Sequence, residues 1–354
     1  MQIVLTTGGT GGHIFPALAV ASKLKELAPN HELLFVGSSQ GLEAKLVSSE
    51  DIAFFGLNVQ GFLGRGLRSL KAFFLLGLAF LKARKLLKEK KARVVAGFGG
   101  YASLPCMLAA QSLGLPTLIH EQNAILGYAN KLLSYRANCL CQAQGVPKTL
   151  PNGKSLIVGN PVRTEIASLF TAEKKEPCAN LLIIGGSQGA HALNVFICQN
   201  LKLFKEAKIS LFHQTGVQDY AMVLAHYKQE GLDPTSVSAF INDMPGAYRW
   251  ADLVLARSGA STIAELTCAG LPAILVPFPS AIHDHQTKNA EVLESCNAAK
   301  LWAEASLNSG RAQELVKLIY DANWLKEVSQ KTRGLAMPYA SNLVAQEILS
   351  LLPA

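Results

Sequence analysis

The sequence predicts an α/β protein made of two Rossmann-like, doubly wound domains. Short apolar runs alternate with helical segments along the 354 residues, as expected for parallel strands that are joined by helices. Each half opens with a strand that runs directly into a glycine-rich turn, at Gly8–His13 and at Gly185–Ala190. The length also suits two domains of ordinary size.

The first half follows this pattern in order. Gln2–Thr6 is predicted to be the first strand, and a helix follows over about Phe15–Leu27. Further strands are predicted at Leu33–Val36, Ile52–Leu57, Val94–Ala96, Thr117–Ile119, Asn138–Cys141 and Leu156–Val158. Gly61, Gly64 and Gly66 indicate a loop, and a long helix over about Ser69–Lys90 comes next. Pro161 predicts a linker at this point of the chain.

The second half repeats the arrangement. Strands are predicted at Leu181–Ile184, Ile209–His213, Ser238–Phe240, Leu253–Leu255 and Ala273–Val276. A helix is expected from the glycine turn to about Leu203, and two more near Ala312–Tyr320 and Tyr339–Leu351, with Pro338 between the last two.

The stretch from Leu253 to Ala290 carries the strongest indication of a ligand site. Two predicted strands end there, and two helices begin, near Ala260 and after the polar cluster His283–Gln286. In an open α/β sheet, ligands bind at this edge, and the amides of a helix N-terminus attract anions. Glu265 could accept hydrogen bonds from two ribose hydroxyls; the alternative is a capped helix with a solvated glutamate.

Polar residues also follow the predicted strand Thr117–Ile119. His120, Glu121 and Asn123 come directly after this apolar run, a position that favours side chains lining a site. The alternative is that His120 and Glu121 are structural groups with satisfied hydrogen bonds.

Positive charge is concentrated in one segment. The chain carries a net charge of +8, and the span from Arg65 to Arg93 holds ten basic residues but only one acid, Glu89. This local excess argues against general binding of nucleic acid and favours one anionic surface. The same helix is apolar over Phe73–Leu81, which is compatible either with burial or with insertion into a membrane interface.

The remaining composition excludes several classes of protein. The seven cysteines form no C-x-x-C motif, which suits reduced thiols of a cytosolic protein better than disulfides or a zinc site. No signal peptide is evident, and no apolar run reaches the roughly 20 residues of a membrane span. A dehydrogenase is disfavoured because no acidic residue follows the second predicted strand.

Seven motifs in order along the chain then point to a family. GGTGGH, GGY-A-S, HEQN, GNPVR, GGSQGA, RSGASTIAE and the P-x-P…HQ…NA segment resemble those of the MurG family, bacterial N-acetylglucosaminyltransferases that make lipid II from lipid I. The resemblance covers essentially the whole chain. It implies the GT-B fold, with two Rossmann-like domains facing a cleft. It also implies a peripheral enzyme on the cytoplasmic face of the inner membrane, in contact with anionic phospholipid.

The resemblance also implies how the domains divide the work. Residues 1–162 are expected to form a membrane-associated acceptor domain, onto which a C-terminal helix at 339–354 packs back. Residues 163–338 are expected to bind UDP-N-acetylglucosamine. The acceptor would be undecaprenyl-pyrophosphoryl-muramyl-pentapeptide, lipid I.

Site residues carry over from the same motifs. Glu265 would hold the ribose, Ile241 the uracil through its backbone, and Gln286 the sugar hydroxyls. Arg163, Ser187 and the helix start at Ala260, Ser261, Thr262, Ile263 and Ala264 would lie by the diphosphate. In the first domain, Thr10, Gly11, Gly12, His13 and Asn123 would face the cleft.

The residues then indicate the chemistry. The family inverts the anomeric centre, so one in-line displacement needs a base and a stabilised leaving group. His13 is the first candidate for the base because imidazole titrates near neutrality, and Glu121 is the second. The chain contains no Asp-x-Asp, so helix N-termini and Arg163 are expected to stabilise UDP without a metal or other cofactor. The rival interpretations are a UDP-N-acetylglucosamine 2-epimerase and a non-catalytic membrane scaffold.

Overall fold

The computed structural model describes residues 2–8, 11–39, 43–48, 50–59, 68–100, 102–145, 150–151, 153–172, 176–186 and 188–353. For residues 68–73 and 282, only the backbone is described. The chain divides into two compact units, which are described separately below. Unit 1 comprises Met1–Arg163 and Tyr339–Ala354, and unit 2 comprises Thr164–Pro338.

Unit 1 is built on a sheet of seven parallel strands. The strands are β1 (Gln2–Thr6), β2 (Glu32–Ser38), β3 (Ala53–Leu57), β4 (Ala92–Gly97), β5 (Thr117–Glu121), β6 (Cys139–Gln142) and β7 (Lys154–Ile157). Their spatial order is β3-β2-β1-β4-β5-β6-β7. The connecting helices are α1 (Gly11–Leu27), α2 (Glu43–Ser48), α3 (Arg68–Glu89), α4 (Ser103–Ser112) and α5 (Tyr128–Ser134). The order reverses direction after β1, as in a Rossmann fold.

Unit 2 has a second parallel sheet with the same order of its first strands. Its strands are β8 (Asn180–Ile184), β9 (Ser210–Gln214), β10 (Val237–Ser238), β11 (Leu253–Ala256), β12 (Ala273–Leu275) and β13 (Lys300–Leu301), arranged β10-β9-β8-β11-β12-β13. Its helices are α6 (Thr164–Ala167), α7 (His191–Gln199), α8 (Leu201–Glu206), α9 (Tyr220–Gln229), α10 (Met244–Trp250), α11 (Ala260–Ala269), α12 (His285–Ser295), α13 (Ser309–Tyr320) and α14 (Ala322–Gly334). The predicted class, two Rossmann-like domains, is confirmed.

The sheet of unit 1 is covered on both faces, and neighbouring strand residues point to opposite sides. Ile3 and Leu5 pack on the face that α1 covers, whereas Val4 packs with α3 and α4 on the other. Burial on both faces explains why these strands are continuous apolar runs rather than alternating ones.

Two predicted helix boundaries were wrong, and one helix was missed. Helix α1 begins at Gly11, not Phe15, so the last part of the GGTGGH motif forms its first turn. The helix expected to reach Leu203 breaks at Asn200, whose side-chain amide donates to the Phe196 carbonyl at 2.8 Å and competes with the helical backbone. Helix α14 was not predicted, because its sequence is mostly polar; Asp321 caps it by accepting from the Trp324 amide at 2.9 Å.

The last helix, α15 (Ala340–Ser350), belongs to unit 1 although 175 residues of unit 2 precede it. It packs against α1, and its Val344, Ala345 and Ile348 are buried in the same cluster as Val20. Ser341 donates to the Val162 carbonyl at 3.0 Å, which joins the helix to the end of the first chain segment. Within the described ranges, no helix has both the length and the apolar character that crossing a bilayer requires.

We expect α15 to contribute directly to the stability of unit 1. Ile348→Ala removes a fully buried side chain and should lower the free energy of unfolding by about 2–5 kcal/mol. Leu343→Ala, on the exposed side of the same helix, should change it by less than about 1 kcal/mol. Urea unfolding followed by circular dichroism would test this, with tryptophan fluorescence as the reporter of unit 2, where Trp250, Trp302 and Trp324 all lie. Equal losses for the two variants would contradict the packing.

Candidate active site

Two glycine loops of unit 1 touch through their backbones at the carboxyl end of the sheet. Gly8 follows β1, and its amide donates to the Gly99 carbonyl at 3.2 Å. Gly100 has a φ of +84°, and a Cβ there would lie 1.8 Å from the Gly8 carbonyl oxygen. Only glycine permits this approach. The contact holds the beginning of α1 beside the loop that follows β4.

His13 stands in the first turn of α1, above this contact. Its Nδ1 lies 3.1 Å from Oε1 of Gln122, which is itself 2% exposed. Gln122 also donates from Nε2 to the Phe98 carbonyl at 2.8 Å. Gly11 and Gly12 precede His13 in the same turn, whereas Thr10 lies outside the described residues. The structure thus brings His13 together with the HEQN motif.

Glu121 is a buried carboxylate that accepts hydrogen bonds from the loop after β5 and from α5. Residues His120 and Glu121 are the last residues of β5, not the first after it, so the predicted strand end was two residues short. Oε1 accepts from the amide and the side chain of Asn123, both at 3.1 Å. Oε2 accepts from the Gly127 amide at 3.0 Å and from the Asn130 side chain at 2.8 Å. This geometry favours a role in shaping the loop over that of a base.

His120 is fully buried, and burial lowers its pKa to about 4, with nearby His13 acting in the same direction. Its Nε2 lies 3.0 Å from the Gly159 carbonyl, which can only accept, so Nε2 carries the proton. The ring is therefore neutral at physiological pH. This arrangement fits the structural alternative considered for His120.

Arg163 closes the first segment of unit 1 and reaches α1. Its guanidinium lies over the ring of Phe15, 5.6 Å from the centroid. The side chain is only partly buried. Arg163 is thus held beside Phe15, which follows His13 by two residues in α1. It adds positive charge to this part of unit 1.

The third glycine loop, Gly185–Ala190 in unit 2, also makes a close backbone contact with a glycine of a neighbouring loop. Gly189 has a φ of +79°, and a Cβ there would lie 2.2 Å from the Thr215 carbonyl oxygen. Gly216 packs against Gly189, and a Cβ at Gly216 would lie 2.6 Å from the Gly189 Cα. Ser187, predicted to lie by the diphosphate, is outside the described residues.

Helix α11 begins where the sequence predicts an anion site. Gly259 occupies the N-cap and offers no side chain to its first turn, Ala260–Ile263. Backbone amides at such an end carry the positive pole of the helix. Glu265 lies one turn further along, partly buried, and accepts a hydrogen bond from the Tyr248 hydroxyl at 2.8 Å. The Tyr248 hydroxyl thereby orients the Glu265 carboxylate. Ala264 directly precedes Glu265 in α11.

Gln286 and Arg257 hold the loop after β12. Gln286 is in the first turn of α12, and its Oε1 accepts from the Phe278 amide at 2.9 Å. Arg257 donates to the carbonyls of Val276 and Pro277, both at 3.1 Å, and pairs with Glu304. Arg257 is thus structural, an assignment that its position after an apolar strand did not reveal.

Ile241 lies in the loop between β10 and α10 and is 5% exposed. It lines an open groove together with Phe240 and Trp250. Among the described residues, no group of three or more His, Cys, Asp or Glu side chains is placed to hold a metal ion.

Comparison with known proteins decides the family. Residues 3–142 match the glycosyltransferase family 28 N-terminal domain, and residues 180–343 match the glycosyltransferase family 28 C-terminal domain. A relative from Nitratidesulfovibrio vulgaris (strain Miyazaki F) is 39% identical over 374 residues, which cover 99% of this chain and 97% of its own length. It is named as a UDP-N-acetylglucosamine–N-acetylmuramyl-(pentapeptide) pyrophosphoryl-undecaprenol N-acetylglucosamine transferase.

The crystal structure of Acinetobacter baumannii MurG is 34% identical, with a TM-score of 0.78 and 99% of each chain covered. The chain belongs to the MurG family of family 28 glycosyltransferases. The UDP-GlcNAc 2-epimerase of Neisseria meningitidis shares the fold, with a TM-score of 0.69, but only 13% of the sequence. That likeness is one of fold alone.

One polar network in unit 2 of this MurG-family chain was not predicted. His213 on β9 is fully buried, with Nε2 2.9 Å from Asn194 Oδ1 and Nδ1 3.2 Å from the Tyr227 hydroxyl. Asn194 donates to the Thr215 carbonyl and to Asp219, at 2.9 and 2.8 Å. Burial lowers the pKa of His213 to about 3, so it stays neutral. The network fixes α7 and the third glycine loop; a histidine within an apolar strand was its only sequence signal.

We expect Glu121→Gln to act mainly on stability. Replacing one acceptor oxygen by an amide nitrogen confronts it with N–H donors, and the free energy of unfolding should fall by about 3 kcal/mol. Glu26→Gln, at an exposed site on α1, should change it by less than about 1 kcal/mol. Thermal unfolding of the two variants provides the measurement. Unchanged stability together with loss of the acidic limb of the pH–rate profile would instead support Glu121 as the base.

Proposed function

We propose that this protein transfers N-acetylglucosamine from UDP-N-acetylglucosamine to the muramyl 4-hydroxyl of lipid I, giving lipid II for peptidoglycan synthesis. The observation that carries the proposal is similarity over essentially the full length to relatives named for this reaction. Two features of the chain support it: a carboxylate beside an uncapped helix N-terminus in unit 2, and an imidazole at the first glycine loop of unit 1.

In this proposal, unit 2 binds the nucleotide. The first turn of α11 receives the diphosphate. Its backbone amides supply positive potential, so no charged side chain has to be buried there. Glu265 accepts from the ribose hydroxyls, with Tyr248 holding its other oxygen at 2.8 Å. Ile241 receives the uracil through its backbone, and Gln286 contacts the sugar hydroxyls. Ser187 is proposed to lie by the diphosphate.

Unit 1 binds the acceptor in this proposal. His13 takes the proton of the muramyl 4-hydroxyl as that oxygen attacks the anomeric carbon, and UDP leaves from the opposite face. Arg163 supplies positive charge toward the leaving diphosphate. Thr10, Gly11 and Gly12 surround the acceptor, as does Asn123, whose position Glu121 fixes. Glu121 is thus proposed as a positioning residue.

The two rivals have less support. A UDP-N-acetylglucosamine 2-epimerase is favoured only by a fold that glycosyltransferases share. A non-catalytic scaffold would not need the Tyr248–Glu265 pair or the His13–Gln122 pair, both of which orient reactive groups.

We also propose that α3 attaches the protein to the cytoplasmic face of the inner membrane. Its inner face, with Ala83 and Leu87, is buried in the core of unit 1. On its outer face, Phe74 is 68% exposed, Leu78 is 40% exposed and Leu81 is 61% exposed. Their spacing places these three side chains in one stripe along the helix. Exposed basic residues follow directly, at Lys82, Lys85, Lys88, Lys90 and Lys91. An apolar stripe flanked by lysines suits an interface of anionic phospholipid.

The reaction is tested by transfer of labelled N-acetylglucosamine from UDP to a lipid I analogue. Glu265→Ala should raise the Kd for UDP about 10- to 100-fold, because hydrogen bonds to a charged acceptor are lost. Glu327→Ala, an exposed glutamate on α14, is the matched control and should leave Kd unchanged. Interconversion of UDP-N-acetylglucosamine with its 2-epimer, without transfer, would establish the rival enzyme.

The membrane surface is tested with vesicles that contain phosphatidylglycerol. The triple variant Phe74→Ser, Leu78→Ser and Leu81→Ser should bind them at least about tenfold more weakly, since it removes the apolar area that enters the interface. Transfer to a water-soluble acceptor should stay unchanged. Val217→Ser, at an apolar residue of unit 2 that is 81% exposed, is the control. Vesicle binding that is unaffected by the triple variant would contradict this assignment of α3.

A further inference from the structure

We propose that Gln122 is a positioning residue that fixes the tautomer of His13, placing the proton on Nδ1 and the basic lone pair on Nε2. The inference rests on the function proposed above for His13. It concerns a contact between α1 and the loop after β5, and it assigns to the glutamine of HEQN a task distinct from that of its neighbours Glu121 and Asn123.

The first step is the orientation of the Gln122 amide. Its two ends face different partners: one faces the Phe98 carbonyl at 2.8 Å, and the other faces His13 Nδ1 at 3.1 Å. A backbone carbonyl can only accept a hydrogen bond, so the amide nitrogen must face Phe98. The amide oxygen therefore faces His13. Because Gln122 is 2% exposed, turning the amide over would bury two unsatisfied polar groups.

The second step follows from the chemistry of imidazole. An amide oxygen only accepts, so Nδ1 of His13 must be the donor and carry the hydrogen. In the neutral ring, the other nitrogen then holds the lone pair. Only this tautomer lets Nε2 take a proton, and the ring that results remains bonded to Gln122 through Nδ1–H. The contact thus persists from the free base to the imidazolium.

The backbone around the pair leaves room for this contact. Gly99 has a φ of +85°, and a Cβ there would come within 3.1 Å of His13 Nδ1 and 3.2 Å of Cε1. A side chain at Gly99 would push the imidazole away from Gln122. The glycine of the second loop therefore serves the His13 contact as well as the turn.

The neighbouring charges do not set the tautomer. His120 on β5 is held neutral by burial, and its ring proton is directed to Gly159. Glu121 directs its oxygens to its own loop. Arg163 lies over Phe15, and Glu43 on α2 lies beside Gly8. Among these groups, Gln122 is the one that meets His13 Nδ1 at hydrogen-bond distance.

The tautomer is measured directly by nitrogen NMR of the full-length, 15N-histidine-labelled protein, without substrate. We expect the His13 signals, assigned by their loss in His13→Ala, to show a pyrrole-type Nδ1 and a pyridine-type Nε2 above pH 8. A pyrrole-type Nε2 would overturn the proposal. This readout does not depend on sugar transfer, so it tests the tautomer separately from the catalytic role. If the tautomer is as proposed but His13→Ala keeps full activity, His13 is not the base, and the assignment of its tautomer still stands.

Kinetics test the consequence. Gln122→Met removes the acceptor and should lower kcat about 10- to 100-fold with little change in KM for UDP-N-acetylglucosamine. The control is Gln142→Met, at a second buried glutamine that ends the neighbouring strand β6, which should leave kcat within about twofold. Gln122→Glu keeps an acceptor for Nδ1–H, although it loses the donor to the Phe98 carbonyl, and should restore part of kcat at high pH. Its carboxylate also favours the imidazolium and raises the pKa of His13, so the acidic limb of kcat/KM should move to higher pH by roughly one unit.

The outcomes separate positioning from mere structure. Equal losses of kcat in Gln122→Met and Gln142→Met would overturn the proposal, as would an acidic limb that does not move in Gln122→Glu. If Gln122→Met does not fold, the wild-type NMR spectrum and the Gln122→Glu profile still decide.

Discussion

Backbone contact between glycine loops is the constraint on which the arrangement of the candidate site residues in each unit depends. In unit 1, Gly100 packs on Gly8, and in unit 2, Gly189 packs on Gly216. In each case a Cβ would collide with main-chain atoms that have no room to move. The contact brings the loops after two neighbouring strands into one surface. In unit 1, the start of α1, and with it His13, is set beside the HEQN loop as a consequence.

Buried hydrogen bonds then turn that proximity into defined geometry. The Glu121 carboxylate accepts three hydrogen bonds from its loop and one from Asn130 of α5, and Gln122 joins the loop to the Phe98 carbonyl and to His13. Such groups are costly to leave unpaired inside a protein, so the network has one favourable arrangement. In the HEQN motif, Glu121 and Asn123 thus shape the loop, and Gln122 joins that loop to the imidazole of His13.

The charge distribution separates the two proposed tasks of unit 1. From Ile52 to Thr164, the acids are Glu89 and Glu121, and Glu121 is buried within its loop. The outer surface of α3 is therefore apolar and basic, whereas the carboxylates of the candidate site point inward. An anionic membrane surface can be attracted without disturbing the groups that are proposed to handle the proton.

Much of the fold followed from the sequence, because strand periodicity and glycine turns are local signals. Both parallel sheets agree with the predicted doubly wound class, since continuous apolar runs joined by helices form parallel Rossmann-like sheets, whereas their strand order was not predicted. The motifs also determined the family. Helix α14 was missed because its sequence is mostly polar, although Leu325, Val328 and Thr332 are spaced so that they share one buried face.

Tertiary structure alone decided what the polar residues do. Glu121, His120 and Arg257 stand in sequence where site residues were expected, yet each is occupied by buried partners far along the chain or within its own loop. Conversely, Gln122 carried no signal of its own. A hydrogen bond across 109 residues defines its task, and such pairings arise only when the folded chain brings donor and acceptor together away from water.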